Sequence, residues 1–229
     1  MKGFITLSIL SISLSLSAQT IKFNVHGTVK ITKNAKYAYL STLSQQIPIS
    51  SPKIFIVAPI VNGHFQLSGK FDLEGKILQY GCVFLDERGD ITKEELQLKF
   101  KELVWVTGRD SHLRKIILEN LGLEIEQRDQ MIASKIISGG IMTKQLDEQT
   151  QAIKAGNRKF IEYIKKYPDS PVSLAAVMEN NSVFYPPKKE KHESWYGLPL
   201  ESYLLLSPRL KHSKEGIQLK KDIDQKATQ

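Results

Sequence analysis

The hydrophobic pattern of this chain changes its period near Thr107-Gly108, and that change limits the fold more than any single motif does. Before it, apolar and polar residues alternate as in half-buried strands. Ile21, Phe23 and Val25 are interleaved with Lys22, Asn24 and His26, and Ile54-Phe55-Ile56-Val57 is a β-branched and aromatic run. The strongest local signal is Asn62-Gly63, which follows Ile60-Val61 and precedes the alternating His64-Phe65-Gln66-Leu67-Ser68. Asn-Gly accepts positive φ at both turn positions, so a tight hairpin is expected there. Further strands are expected at residues 36–40, 78–85 and 100–106. Roughly five to seven strands then form an antiparallel β-sandwich or an open barrel.

Beyond Gly108 apolar residues recur at helical spacing. Leu113, Ile116, Ile117 and Leu121 would line one face of a helix capped by Asp110 or Ser111. A second helix is expected over residues 144–166, with Leu146, Ile153, Phe160, Ile161 and Ile164 on it, and Gly139-Gly140 as the turn before it. Ser170 directly before Pro171 signals a third helix, over 171–178, that Asn180 and Asn181 would end. Residues 185–194 read as loop, and 200–206 and 214–223 as short helices. The fold class is α+β: a β-rich domain over 19–107 followed by a helical connector region over 108–229. The helices carry narrow apolar stripes, so this half is expected to be the less stable. Leu121, Ile125, Leu204 and Leu205 are expected on or beside an incompletely covered surface for self-association or partner docking.

Residues 1–18 read as a secretory signal peptide. Lys2 supplies the positive start, residues 4–16 an apolar segment diluted by serines, and Ser17 and Ala18 the small residues of a cleavage site. The segment is too short and polar for a stable membrane anchor. No cysteine stands near the cleavage site to carry a lipid, so the mature chain is expected in the periplasm or outside the cell.

The chain has 32 basic against 24 acidic residues, a formal charge of +8. That excess is diffuse. Its densest run, Lys188, Lys189 and Lys191, is interrupted by Glu190 and followed by Glu193, and no aromatic residues interleave with basic ones as a stacking groove needs. A nucleic-acid partner is therefore not expected.

Catalytic signatures are equally sparse. Cys82, the one cysteine, lies in an apolar run expected to be a buried strand, and it has no second cysteine for a disulfide or a C-x-x-C pair. His26, His64, His112, His192 and His212 are scattered, without the spacing of metal ligands. Asp110-Ser111-His112 contains triad residue types, but sequence neighbours splay apart, and a helix cap explains them better. There is no G-x-S-x-G, Walker or G-x-G-x-x-G motif. Asn180-Asn181-Ser182 matches a glycosylation acceptor in form, expected to be idle behind a bacterial-type leader. No catalytic, cofactor-binding or metal-binding residue is assigned, and no cofactor is expected.

Several phrases together carry a family resemblance. They are Tyr37-Ala38-Tyr39-Leu40, Asn62-Gly63-His64-Phe65-Gln66-Leu67-Ser68-Gly69, Phe160-Ile161 with Tyr167-Pro168-Asp169-Ser170, and Leu206-Ser207 with Ser213-Lys214-Glu215-Gly216. The chain resembles the N-terminal portion of certain bacterial thiol-disulfide oxidoreductases. In those proteins a domain of unknown function and a helical connector precede a thioredoxin-like domain of the TlpA and AhpC/TSA type. The sequence stops before the entry to that domain and its C-x-x-C site. The resemblance therefore implies an exported, non-catalytic accessory or binding module, with a protein or peptide partner such as a thioredoxin-like domain. Its alternative is a truncated or split oxidoreductase that works with a separate thioredoxin-like chain.

Overall fold

The structure, a computed structural model, describes residues 19–42, 52–101, 112–184 and 188–227. Strand β1 (Thr20–Ile31) keeps the alternation of its sequence, burying Phe23, Val25 and Val29 and turning Lys22, Asn24, His26 and Thr28 outward. It is followed by β2 (Tyr37–Ser41), β3 (Phe55–Pro59), β4 (His64–Asp72), β5 (Tyr80–Asp86) and helix α1 (Lys93–Lys101). Then come β6 (Arg114–Ile117), β7 (Leu121–Gln127), a 3-10 helix (Arg128–Ala133) and β8 (Lys135–Gly139). The first sheet has the order β4-β1-β7-β8 and the second β3-β2-β5-β6.

The two sheets share one core. Phe23, Val25, Leu67, Leu123 and Ile125 from the first meet Leu40, Val83, Leu85 and Ile116 from the second. This arrangement is compatible with the expected sandwich, and its ladders are antiparallel except where β1 and β7 run parallel.

From Ile141 the chain is helical: α2 (Ile141–Ala155), α3 (Lys159–Lys166), α4 (Pro171–Val183), α5 (Lys189–Tyr196), α6 (Pro199–Leu205), α7 (Pro208–Lys211) and α8 (Lys214–Ala227). These helices close a second core with the outer side of the second sheet, in which Leu78 and Ile117 join Leu146, Phe160, Ile164 and Val177. A third cluster sets Tyr39, Cys82 and Phe84 against Ile91 and Leu96 at α1, with the Tyr39 and Phe84 rings stacked at 4.7 Å. The second sheet is thus covered on both faces. Among the described residues, the first is covered on one.

That layering explains where the pattern misleads. The expected helix over residues 113–121 is instead β6, a turn and the start of β7: Ile116 enters the sandwich core and Ile117 the helical core, and a strand buried on both faces loses its alternation. Strands therefore persist to Gly139, and the helices begin after Gly139-Gly140, both of which have positive φ. Residues 100 and 101 end α1 instead of starting a strand, and the rest of that expected strand, 102–106, lies outside the described residues. So do residues 1–18 with the expected leader, Thr107-Gly108, and Asp110 and Ser111.

The expected helix over 144–166 is broken at Gly156, Asn157 and Arg158, all with positive φ. Ser170 caps α4 through the Val172 N–H as expected, but the helix runs on through Asn180 and Asn181, which are buried within it. Helix α5 occupies part of the expected 185–194 loop. Leu121 and Ile125 are 1% and 0% exposed, central to the sandwich and not on an open surface. Leu204 is 61% exposed, whereas Leu205 packs against the helical core.

The Asn62-Gly63 turn forms with both φ positive, and Val61 and His64 exchange backbone hydrogen bonds across it at 2.9 Å. The ladder ends there. Beyond this one bridge β3 pairs with β2 and β4 with β1, so the turn passes the chain between sheets.

Helix and sandwich layers are joined by polar contacts as well as by Ile117. The first turn of α2 has Gly140 at its cap and no capping side chain of its own. Glu119, from the β6–β7 turn, takes that role by accepting hydrogen bonds from the Met142 N–H at 3.2 Å and the Thr143 N–H and Oγ1 at 2.6 and 2.7 Å. The Thr143 Oγ1 in turn accepts from the Ile117 N–H at 3.0 Å. A carboxylate at a helix start satisfies orphan donors and complements the dipole. Glu119→Ala is expected to lower the stability of the whole chain by about 1–2 kcal/mol, read from the denaturant midpoint, with Glu119→Gln retaining part of it.

Candidate functional site: the open face of the first sheet

The uncovered side of the first sheet is the surface on which described polar side chains are arrayed in order. Four cross-strand pairs face outward on β1 and β4: Lys22 with Lys70, Asn24 with Ser68, His26 with Gln66, and Thr28 with His64. Neighbouring side chains on such a face interact across and along the strands. Ser68 Oγ donates to Asn24 Oδ1 at 2.8 Å, and Gln66 Nε2 donates to Ser68 Oγ at 3.2 Å. Thr28 Oγ1 and His64 Nδ1 are 3.2 Å apart, and His26 Nε2 reaches Ser138 Oγ on β8 at 3.3 Å.

That last contact depends on Gly122 of β7. A Cβ there would lie 2.6 Å from His26 Nε2 and would also strike Ser138 Oγ, so only glycine leaves room for the ring over the backbone. His26 is drawn towards β8 while His64 is held at Thr28 on the other flank. The two imidazoles share a face but are bonded to different partners.

Part of this face is hollowed into an open groove of about 580 Å³. Asn24, His26, Thr28, His64 and Gln66 line it on the sheet side, and Ala58, Pro59 and Val61 form an apolar wall where the chain leaves β3. No lining residue carries a formal charge other than by histidine protonation. The chemistry on offer is hydrogen bonding to amide, hydroxyl and imidazole groups beside a small apolar ledge. The polar half of the β1 and β4 alternation was the sequence signal for this surface.

The remaining reactive residue types are dispersed. Cys82 is buried on β5, with its Sγ 3.5 Å from the Ser41 carbonyl. Burial pushes its pKa up to about 12, against a smaller opposing effect of that hydrogen bond. His112 Nδ1 stands 3.0 Å from Asp129 Oδ1 of the 3-10 helix, a contact between two segments of the chain. Among the described residues no group of three or more His, Cys, Asp or Glu is placed to hold a metal ion. No helix among them is long and apolar enough to cross a membrane. Asn180, the first residue of the glycosylation-type triplet, is buried.

Asn180 instead serves His192. Its Oδ1 lies 2.6 Å from His192 Nε2, and the imidazole packs against the Phe184 and Tyr196 rings at 5.0 Å each. Burial, and next the charge of Lys226, lower the His192 pKa below its usual 6.5. The fold thus favours the neutral ring. Its contribution to stability is complete above pH 6.5 and declines as the pH falls through 6.5 towards the lower folded-state value, because the unfolded chain binds the proton first. Thermal unfolding measured from pH 7.5 to 4.5 is expected to show that decline, and His192→Gln, which retains a donor for Asn180, is expected to flatten it.

The chain was compared with family models, curated proteins and solved structures, and none of them matches it.

Proposed function

We propose that this chain is an exported, non-catalytic binding or accessory module whose recognition surface is the outer face of its first sheet. The observation that carries the reading is the groove on that face: open, without lysine, arginine or carboxylate side chains in its lining, and furnished with hydrogen-bonding groups on the paired strands β1 and β4. Such a surface suits recognition of a partner through hydrogen bonds. The leader-like residues 1–18 support export to the periplasm or beyond. The family resemblance supports a protein or peptide partner, with a thioredoxin-like domain as one candidate.

The same motifs support a second reading, a truncated or split thiol-disulfide oxidoreductase. In that case a separate chain must supply the thiol chemistry, because exchange requires an accessible thiolate and Cys82 is buried with a raised pKa. A thioredoxin-like reading frame with C-x-x-C directly downstream in the DNA would favour this second reading, and an unrelated gene the first.

The module reading is tested by redox assay. Purified protein is expected to leave the rate of insulin reduction by dithiothreitol unchanged, and Cys82→Ser to behave identically. Acceleration that disappears in Cys82→Ser would overturn it.

A further inference from the structure

Building on that reading of the sheet face, we infer that its occupant is an extended peptide segment bearing carboxylate side chains, with the carboxylates held between Lys22 and Lys70. These two lysines are directly opposed in the β1–β4 register, and both are exposed. Like charges opposite each other on a sheet repel. The other lysine of β1 shows the contrast: Lys30 is neutralised by Glu124 and Glu126 of β7, each at 3.2 Å. The nearest carboxylate along β4 is that of Asp72, two residues beyond Lys70, and its Oδ1 accepts the Glu74 N–H at 2.8 Å. Among the described residues the charge is therefore balanced at one end of the face, and a positive pair stands at the other, next to Asn24, Ser68 and the groove.

The spacing favours a peptide in extended conformation. Outward side chains along β1 and β4 recur every second residue, at about 6.6 Å, which is also the repeat of an extended chain. With its acidic residues at the lysine pair, such a segment would run past Asn24, Ser68 and Gln66 and bring an apolar side chain to the Val61 ledge. A nucleic acid fits less well, since the aromatic residues of β1 and β4, Phe23, Phe65 and Phe71, are buried and give bases nothing to stack on. An anionic membrane fits less well, since lipid surfaces are held by larger basic clusters than a single lysine pair.

The test uses the full chain and three fluorescent peptides with amidated C-termini, each an alternating Thr-Val stretch ending in Glu-Glu, Gln-Gln or Lys-Lys. Anisotropy titrations are expected to rank Glu-Glu first, about tenfold tighter than Gln-Gln, with the advantage shrinking as salt is added. Lys22→Gln with Lys70→Gln should abolish the advantage. Lys30→Gln should not, and circular dichroism should confirm that both variants are folded. Equal binding of the three peptides, or a preference that survives the double substitution, overturns the acidic-segment inference and leaves the binding-module reading standing. Absence of binding by any peptide, with lysine-dependent sedimentation on phosphatidylglycerol vesicles, assigns the face to a membrane and overturns the peptide inference. Absence of binding to peptides and vesicles alike removes both the inference and the recognition role of this face.

Discussion

Limited proteolysis of the folded chain is expected to leave no stable fragment that ends near Val106, although the β-like half of the sequence pattern ends there. Such a fragment would lack β7, which lies between β1 and β8 in the first sheet. It would also lose Leu121, Leu123 and Ile125 from the sandwich core, together with Ile116 from β6. Truncating one buried leucine typically removes about 2–5 kcal/mol, while a whole domain is stable by only about 5–15 kcal/mol. Loss of four such residues and the β1–β7 ladder exceeds that margin. The smallest resistant core is expected to extend through Gly139 and to retain helices, because Leu78 and Ile117 are covered by Phe160, Ile164 and Val177. Mass spectrometry of the digestion products checks this. Accumulation of a folded fragment over 21–106 would show that the two sheets do not depend on β7.

Asp86→Ala is expected to be among the most damaging single polar substitutions, lowering stability by about 2–3 kcal/mol. Asp86 is 4% exposed at the end of β5. Its Oδ2 accepts from Arg128 Nη2 at 3.1 Å, and its Oδ1 from the Arg88 N–H at 3.0 Å. Arg128 also donates through Nη1 to the Asn34 carbonyl at 3.2 Å, so the pair ties the 3-10 helix to β5 and to the turn before β2. Removing the carboxylate leaves the part-buried Arg128 guanidinium with only Asp129, at 3.9 Å, as a counter-charge and the Arg88 N–H without its acceptor, and the damage comes mainly from these lost partners. Asp86→Asn combined with Arg128→Met is therefore expected to be less destabilising than the sum of the two single changes. Urea denaturation of the four proteins in a double-mutant cycle measures the difference. Additive losses would mean that the pair is not coupled.

Strands β1 and β4 of the first sheet were legible in the residues themselves, whereas β7 and β8 were not. In β1 and β4 one face meets the core and the other meets water, so apolar and polar residues alternate and the polar members mark the candidate site directly. The Asn62-Gly63 turn was legible because positive φ at two successive positions is a local requirement. The cap of α4 by Ser170, ahead of Pro171, was legible for the same local reason.

What the sequence determined by itself was therefore local: the α+β class, the turn at Asn62-Gly63, the α4 start, the burial of Cys82 and the polar stripe of β1 and β4. Tertiary structure alone decided the partners. Whether Ile116 and Ile117 belong to a helix or to a strand depends on which layers cover them, and the cover comes from residues far away in the chain. The Asn62-Gly63 turn cannot specify that its two arms join different sheets, because β1 and β2 compete for those arms through long-range ladders. Likewise, the opposition of Lys22 and Lys70 exists only in the β1–β4 register. The residues stand 48 positions apart, and no periodicity within either strand records the pairing.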